Sequence, residues 1–493
     1  MSGKRQKKKR GGSTYSGLDQ HRQVGKVLQP PILQKLENLE FTSWMNDSLP
    51  EVLWAALIVG HLNRDAALQV FRRAVAKAKA SGSGAAGADI RHSALANIDP
   101  ALFADFFSSL AEDQAARHYL RALRVLPTLP GRSLWDSLVG FDEMSEPEAW
   151  DALRSAVLKT LSHRSQESTD CMWLMVVSRA INGQLFFPKH LPEIAEEIRL
   201  YPDHGDPGAV AATVRAMAGG LRGLNPPDPA WSTSFWGLCL ASTPCESFPG
   251  TTVQPLPALG TSATQVRAVY DELREHFLGT QTTTALDARH DSAFGLALAS
   301  VAVLAELLRV GNSTASIGRA ALRSLTECAI TLKYLAKNDE QRLWQMYRQY
   351  GQGQAKLAFL KLDQLGAVSD FVDQGTLEAL ANEDRWQELV PINLGHWADL
   401  NARKMAEEAN CKDLYDQYYD WTSGYVHGHW AAVRDSVFEI CGNPLHRLHR
   451  IPRSAPRALG DVVGDACRVV DHILTTLSQL YPGLKGTVTL EAQ

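Results

Sequence analysis

Cysteine is scarce and irregularly spaced in this chain. Seven cysteines are spread over 493 residues, and no two of them form a C-x-x-C pair. This pattern excludes a disulfide framework and a zinc ribbon, and it indicates a cytoplasmic protein. Cys239 and Cys245 lie six residues apart with no histidine close to them in the sequence, so this segment does not predict a metal site.

The histidines are not spaced as the metal ligands of any standard motif. His427 and His429 project about 200° apart if their segment is helical. His446 and His449 follow them at a spacing that fits no standard ligand motif. The sequence therefore predicts neither a metal ion nor another cofactor.

Phosphate-binding and nucleophile motifs are also missing. The chain has no G-x-x-x-x-G-K-[ST] loop, no strand-linked G-x-G-x-x-G and no G-x-S-x-G elbow. Gly351-Gln352-Gly353 lies inside a helical pattern without a preceding strand. These absences exclude a P-loop nucleotide hydrolase, a dinucleotide-binding domain and an α/β-hydrolase.

Long apolar runs and a strong net charge are absent as well. The longest apolar helical stretch, Ala293–Ala305, ends at Glu306 and is shorter than the roughly 20 residues of a membrane span. No apolar segment of a signal peptide follows the basic N-terminus. We therefore predict a soluble protein without a membrane partner. A net charge of −4 excludes a uniformly basic nucleic-acid-binding protein, although a local basic site is compatible with it.

The length of the chain favours two or three domains, and helical periodicity without sustained alternation predicts an all-α fold. Residues 1–27 form a basic tail, and residues 28–223 form an N-terminal array of helical hairpins. Seven prolines in residues 224–262 predict a linker that helices do not cross. Residues 263–493 contain long helical segments with short breaks, the pattern of an up-and-down helical bundle.

The tail has six lysines and arginines within residues 4–10. Such a segment has no apolar face to bury and is expected to be disordered. It is either a solvated terminus or an arm that contacts RNA or another nucleic acid, because each neutralised phosphate releases counterions.

Several helix boundaries are predicted from local signals. Asn312-Ser313 and Asn338-Asp339 each predict a break between two long helices. Ser48-Leu49-Pro50-Glu51 predicts a helix start in which Ser48 is the N-cap and Glu51 completes a capping box. Near the C-terminus we predict helices over 384–409 and 411–423 and a further helix over 425–440.

Two polar stripes on predicted helices of the last region form the candidate site. On a helix with 100° per residue, the first stripe comprises Arg323, Glu327, Ile330 and Tyr334. The second stripe comprises Tyr419, Ser423, His427, Trp430 and Arg434. If the stripes face each other, they form a polar cleft. The alternative is that Arg323 and Glu327 are only a surface ion pair between residues four apart.

A resemblance extends over roughly residues 290–483. Arg323-Ser324-Leu325-x-Glu327, the tyrosines and Lys356 that follow, and Val426-His427-Gly428 resemble a bacterial family known as a domain of unknown function. Its helical character is similar to that of HEPN domains, many of which are ribonucleases or components of toxin and phage-defence systems. HEPN ribonucleases typically place four to six residues between an arginine and a histidine. Within residues 290–483 no such pair occurs; Arg468 and His472 have only three residues between them.

Two functions remain open at this point. In the first, the cleft binds a nucleic acid, an anionic ligand or a partner protein, with Arg323, Lys356 and Arg434 holding the anion; Tyr334 and Ser423 are further candidate contacts. The alternative is a metal-independent ribonuclease with His427 as general acid/base, an arginine stabilising the charge at phosphorus, and Glu327 orienting the histidine. The oligomeric state does not follow from the sequence.

Overall fold

The computed structural model divides the chain into two compact units. Unit 1 comprises residues 1–246 and 441–449, and unit 2 comprises residues 247–440 and 450–493. The structure describes residues 18–25, 27–29, 31, 43–80, 89–181, 183, 185, 192–201, 207–224, 229–247, 261–365, 371–383 and 390–489. The predicted RNA-contacting residues 4–10 lie outside these ranges.

Unit 1 is built of helices with one small hairpin. Its α-helices are α1 Leu49–Glu51, α2 Leu53–His61, α3 Arg64–Ala80, α4 His92–Leu95, α5 Pro100–Ala111, α6 Gln114–Leu120, α7 Arg132–Val139, α8 Glu146–Thr160, α9 Gln166–Ile181, α10 Pro192–Leu200, α11 Pro207–Leu224 and α12 Pro229–Ser242. A π-helix spans Trp44–Ser48, and 3-10 turns span Leu18–Gln20, Arg121–Val125, Phe141–Glu143 and Pro444–His446. Strands β1 Arg22–Val24 and β2 Val27–Gln29 pair antiparallel.

The apolar helix α2 lies at the centre of the unit 1 core. Its residues from Leu53 to Gly60 are buried on every side, as expected for a helix without a polar face. It packs against α8, and Gly60 permits this approach, because a Cβ there would lie 2.7 Å from the Cα of Ala156. Trp54 also makes edge contacts with Phe107, at a centroid distance of 5.1 Å.

The predicted N-cap at Ser48 is wrong. Ser48 makes no capping hydrogen bond; instead Ser43 accepts a hydrogen bond from the Asn46 N–H at the start of the π-helix. Glu51 is fully buried and accepts the Ser93 N–H at 3.0 Å. The helical run therefore begins one turn earlier than the capping-box pattern indicates.

The proline-rich interval does contain a helix. Helix α12 begins at Pro229, where the missing N–H costs nothing, and no proline interrupts it before Pro244. Residues 441–449 also belong to unit 1, and Leu445 lies in its core. The sequence did not indicate this contribution from the distant segment.

Unit 2 consists of long helices followed by shorter ones. Its α-helices are α13 Ala263–Thr280, α14 Ala288–Val310, α15 Ser316–Asn338, α16 Gln341–Leu365, α17 Gln374–Ala381, α18 Ala402–Glu408, α19 Lys412–Leu414, α20 Asp420–Val426, α21 Trp430–Val437 and α22 Val463–Leu480. A π-helix spans Tyr415–Tyr419. Strands β3 Phe438–Ile440 and β4 Arg450–Pro452 pair antiparallel.

Helices α14, α15 and α22 form the centre of unit 2 and pack against one another. Helix α14 is long and apolar enough, by length and composition, to cross a membrane. Leu296, Val301 and Leu304 of this helix are nevertheless buried in the core, and the core helix of a soluble protein has the same composition. The all-α prediction is confirmed, since the described residues contain only two short two-stranded sheets.

Two of the predicted C-terminal helices differ from the structure. Of the predicted helix 384–409, residues 390–401 are not helical and only Ala402–Glu408 forms a helix; residues 384–389 lie outside the described ranges. The predicted helix 425–440 is divided between the end of α20, a turn, α21 and strand β3.

Candidate functional site

Arg323 of α15 is held by Tyr419 and Glu327. Its guanidinium donates hydrogen bonds to the carboxylate of Glu327 and to the hydroxyl of Tyr419. The guanidinium carbon also lies 3.6 Å from the centroid of the Tyr419 ring, a close cation–π contact. Only 12% of the Arg323 side chain is exposed. Arg323 therefore makes intramolecular contacts at its edge and its face.

The π-helix brings Tyr419 to this position. An i→i+5 turn inserts an extra residue into the helix, and in unit 2 it spans Tyr415–Tyr419 directly before α20. The Tyr415 and Tyr419 rings stack with their centroids 4.7 Å apart. Burial raises the pKa of Tyr419, so its hydroxyl is protonated at neutral pH. The two stripes of the sequence pattern do meet, and Tyr419 makes the contact.

His427 lies apart from this cluster. Helix α20 ends at Val426, His427 is its C-cap, and Gly428 adopts φ of 63°. A glycine in the left-handed region is a common helix terminator. Within the described residues, His427 makes no hydrogen bond or ion pair with Glu327. The structure thus does not show the orienting contact that the ribonuclease hypothesis assigned to Glu327.

The turn also changes the relation between His427 and His429. A continuous helix would point their side chains in different directions, but here the two rings lie 6.0 Å apart with a 32° angle between their planes. Both residues are exposed. The helical projection therefore does not apply beyond Val426, and the two imidazoles form a surface pair.

Three other predicted site residues make local contacts. Tyr334 is buried and packs edge-on against Trp397, with their centroids 5.9 Å apart. The Lys356 ammonium donates a hydrogen bond to the Val390 carbonyl at 3.2 Å. The Ser423 carbonyl accepts the N–H of His427 at 3.0 Å. These contacts stabilise unit 2 and do not bring the three side chains into one site.

A cavity of about 650 Å³ opens beside Glu327, and the sequence pattern did not indicate it. Its lining includes polar and aromatic side chains from α14, α15, α16 and the segment before α18. Those most relevant to its chemistry are Glu327, Cys328, Tyr347, Arg348, Glu383, His396 and Trp397.

The ionisation of the lining makes this cavity unsuitable for phosphate. Burial lowers the pKa of His396 and raises the pKa of Tyr347 to about 12, so both side chains are neutral at pH 7. Arg348 donates hydrogen bonds to Asp291 at 2.6 Å and to Glu383 at 3.0 Å. Glu327 is paired with Arg323, so three carboxylates stand against two guanidinium groups around the cavity. This excess of negative charge favours a neutral or cationic ligand.

A second depression, of about 400 Å³, is rich in arginine and contains the predicted residue Arg434. We call it the arginine groove. It is formed by α20, α21, β3, β4 and the residues after β4. Its lining residues are Trp421, Ala431, Arg434, Asp435, Phe438, Glu439, Ile440, Arg450, Arg453 and Arg457.

The arginine groove is positively charged although the chain is acidic overall. Arg453 pairs with Glu439 at 3.2 Å, and Arg457 pairs with Asp435 at 2.7 Å. Four arginines against two carboxylates leave a formal charge of +2, compared with −4 for the whole chain. Arg434 is exposed and makes no ion pair with any described residue. The groove can therefore accept anionic groups.

Exposed tryptophans flank the groove. Trp421 is 55% exposed and Trp430 is 63% exposed, and large apolar rings are usually more deeply buried. Trp421 contacts the edge of Tyr425, and Trp430 packs on Phe438 of the groove with their centroids 5.8 Å apart. Each indole therefore offers surface for stacking.

One arginine–histidine pair does have the spacing typical of HEPN ribonucleases. Arg199 and His204, in unit 1, have four residues between them. The Arg199 side chain is largely exposed and pairs with Glu196 at 2.5 Å, whereas His204 lies outside the described residues. This pair also lies outside the segment that resembles the family of unknown function.

A protein-family model matches a segment that covers less than a third of the chain. No curated protein and no solved structure matches. The matching segment is shorter than the resemblance over residues 290–483 and includes all seven predicted site residues. It ends before Arg450, Arg453 and Arg457 of the arginine groove. Residues 304–442 match the model described as a family of unknown function (DUF5677), so this C-terminal segment is similar to that family.

Proposed function

We propose that unit 2 binds single-stranded RNA at the arginine groove. The observation that supports this function best is the set of four arginines beside an exposed tryptophan, Trp421. Proteins that bind single strands combine a positive groove for the phosphates with aromatic rings on which bases stack. The groove has both components, whereas the cavity beside Glu327 has an excess of carboxylates.

Arg434 is the side chain most available to a phosphate. Guanidinium groups bind phosphate oxygens through paired hydrogen bonds, and Arg434 has no competing carboxylate among the described residues. Arg453 and Arg457 are ion-paired with Glu439 and Asp435. They contribute positive charge to the groove, but their guanidinium groups are less available to a phosphate than that of Arg434. Arg323 and Lys356, the other predicted anion ligands, make contacts within unit 2.

The test measures binding of a fluorescent single-stranded RNA by anisotropy at several salt concentrations. Arg434→Ala should weaken binding and reduce the slope of log K against log salt by about 0.7, the value for one contact with a single strand. Trp421→Ala should cost about 1–3 kcal/mol for the loss of one stacked base. Arg403→Ala is the matched control, because Arg403 is an exposed arginine of unit 2 that pairs with Glu407 away from the groove.

The basic tail needs a separate arm of this experiment, because residues 4–10 are proposed to contact RNA as well. The same variants are therefore compared in a chain that lacks residues 2–12. Equal affinities of the Arg434→Ala, Trp421→Ala and Arg403→Ala proteins in both backgrounds would exclude the groove as the binding site.

The second candidate function is RNA cleavage without a metal ion, with His427 as the general acid/base. The observation that favours it is the exposed pair of His427 and His429, since histidine is the side chain most often used as a general acid or base. Such an activity would suit a role in stress or phage defence. Loss of RNA cleavage in His427→Ala, with activity retained in His429→Ala, would support it; cleavage unchanged in His427→Ala would rule it out.

A further inference from the structure

Four potential metal ligands converge in unit 1. They are Cys245 after α12, and Cys441, His446 and His449 from the segment 441–449. One ligand atom from each lies within 4.8 Å of all the others. Cys441 and His446 are buried, His449 is half-buried and Cys245 is exposed. The two thiols and the two imidazoles therefore form one compact cluster.

Three of the six distances between these atoms are close to the edges of a zinc coordination tetrahedron. Zn–S bonds of about 2.3 Å and Zn–N bonds of about 2.0–2.1 Å place sulfur and nitrogen about 3.6 Å apart. The Cys245 sulfur lies 3.5 Å from His446 Nδ1 and 3.4 Å from His449 Nε2. The Cys441 sulfur lies 3.4 Å from His446 Nδ1.

The tautomer of His446 is fixed by its other nitrogen. The Thr243 hydroxyl donates its single proton to the Cys239 carbonyl at 2.7 Å, so it must accept the proton of His446 Nε2 at 3.0 Å. Nδ1 then carries a lone pair, and this lone pair faces both cysteines. Metal-bound histidines usually donate their other N–H to an oxygen in the same manner.

The surroundings of Cys441 also suit a thiolate. The Glu246 N–H points at the Cys441 sulfur at 3.4 Å, and the Gly442 N–H donates to the Glu246 carbonyl at 2.6 Å. The Asn443 amide donates to Thr243 Oγ1 at 3.0 Å and to the Pro244 carbonyl at 2.9 Å. Backbone and side-chain bonds thus join the two segments and hold the ligands in position without a metal ion.

We propose that Cys245, Cys441, His446 and His449 bind one structural Zn²⁺ ion. All four tetrahedral positions come from the protein, as in structural rather than catalytic zinc sites. The ion would link the end of α12 to the segment 441–449, which are about 200 residues apart in the chain. Binding requires both thiols to lose their protons, so two protons are released when the ion enters.

The first test is metal content and spectroscopy of the full-length protein. Protein purified under reducing conditions should retain one zinc per chain after dialysis. Replacement of zinc by Co²⁺ should give the intense visible bands of a tetrahedral site together with thiolate charge-transfer absorption. This measurement uses the wild-type chain, so it stands even where a ligand variant fails to fold.

The second test uses matched variants of one segment. Cys245→Ser removes an exposed ligand and should abolish zinc retention, whereas Cys239→Ala removes a neighbouring thiol outside the cluster and should retain zinc. Thr243→Val should weaken zinc affinity about 10- to 100-fold, the usual effect of losing a partner of a ligating histidine. Wild-type protein that takes up no zinc under reductant, a Cys245–Cys441 disulfide in its place, or full zinc retention by Cys245→Ser would overturn the proposal.

Discussion

Replacement of Arg323 by alanine tests whether its guanidinium fixes the Tyr415–Tyr419 segment against α15. The side chain makes three contacts in unit 2: a hydrogen bond to the Tyr419 hydroxyl, a cation–π contact at 3.6 Å with the same ring, and an ion pair with Glu327. Alanine removes all three and leaves the Tyr419 hydroxyl without its donor.

The contacts differ in their expected contributions. A hydrogen bond to a charged group contributes about 1.5–3 kcal/mol, and a cation–π contact that is shielded from water contributes about 2 kcal/mol. The ion pair contributes only about 0.3–0.5 kcal/mol, because 46% of the Glu327 side chain is exposed. The three share one side chain and are not additive, so we expect Arg323→Ala to cost about 2–4 kcal/mol.

Hydrogen–deuterium exchange is the suitable assay, because the chain has two compact units and a single unfolding transition is not assured. Peptides from the Tyr415–Tyr419 segment and from α15 should exchange faster in Arg323→Ala. A loss of 2–4 kcal/mol corresponds to an acceleration of about 30- to 700-fold, at 1.4 kcal/mol for each factor of ten. Peptides of unit 1 serve as the internal reference.

Glu327→Gln is the matched control for the ion pair. It retains an acceptor for Arg323 and leaves both Tyr419 contacts intact, so exchange should change by no more than about threefold, equivalent to about 0.5 kcal/mol. Exchange in Arg323→Ala as slow as in wild type would refute the interpretation that these contacts stabilise unit 2. A larger effect of Glu327→Gln than of Arg323→Ala would refute the ranking of the contacts.

Two further predictions concern unit 1. Burial lowers the pKa of His92 to about 3, and neither ring nitrogen has a hydrogen-bond partner among the described residues. Below about pH 6.5 the folded state therefore binds fewer protons than the unfolded state. The stability that is present above this pH is lost as the pH falls. At pH 5 the loss is about 2 kcal/mol, which urea unfolding at pH 7 and pH 5 should show in wild type and not in His92→Gln. Gly60→Ala should lower the stability by about 1–3 kcal/mol, because the new Cβ would contact the Ala156 backbone. The control Gly295→Ala, in the middle of α14 with no neighbour within 4 Å, should raise the stability by up to about 1 kcal/mol. Similar shifts in the melting temperature of the two variants would contradict this prediction.

The fold class and several helix boundaries followed from local sequence signals. Asn312-Ser313 and Asn338-Asp339 indicated breaks, and α15 and α16 indeed run from Ser316 to Asn338 and from Gln341 to Leu365. Asp339 adopts a positive φ of 45° at the end of α15, a conformation that aspartate tolerates. Short polar residues at a helix boundary can be recognised in the sequence, because their side chains interact with the backbone close to them.

Two predictions of secondary structure, over residues 224–262 and 425–440, extend one local rule over too long a segment. The number of prolines in residues 224–262 predicts a segment without helices, but their spacing leaves room for α12 between Pro229 and Pro244. The predicted continuous helix over 425–440 does not form, because Gly428 adopts a positive φ that ends the helix and brings His427 beside His429. In both segments the position of a single residue decided the structure.

The candidate sites were harder to predict because their residues come together from separate segments. Arg323 and Glu327 lie on one helix turn, so their pairing was visible, while the π-helix that supplies Tyr419 was not. Cys245 showed no ligand pattern because its three companions lie about 200 residues later in the chain. A spacing rule recognises a metal site only when the ligands share one short loop.

Charge distinguishes the cavity beside Glu327 from the arginine groove in their suitability for the RNA ligand that we propose. At the cavity beside Glu327, Arg348 is matched by Asp291 and Glu383, and the half-buried His396 and Tyr347 add no positive charge at pH 7. A phosphate there would meet a net negative charge in a partly enclosed space, where repulsion is stronger than in water. At the arginine groove the excess is positive and the flanking indoles are exposed. The larger cavity is therefore suited to a different ligand, and a variant of Glu327 should not weaken RNA binding at the groove.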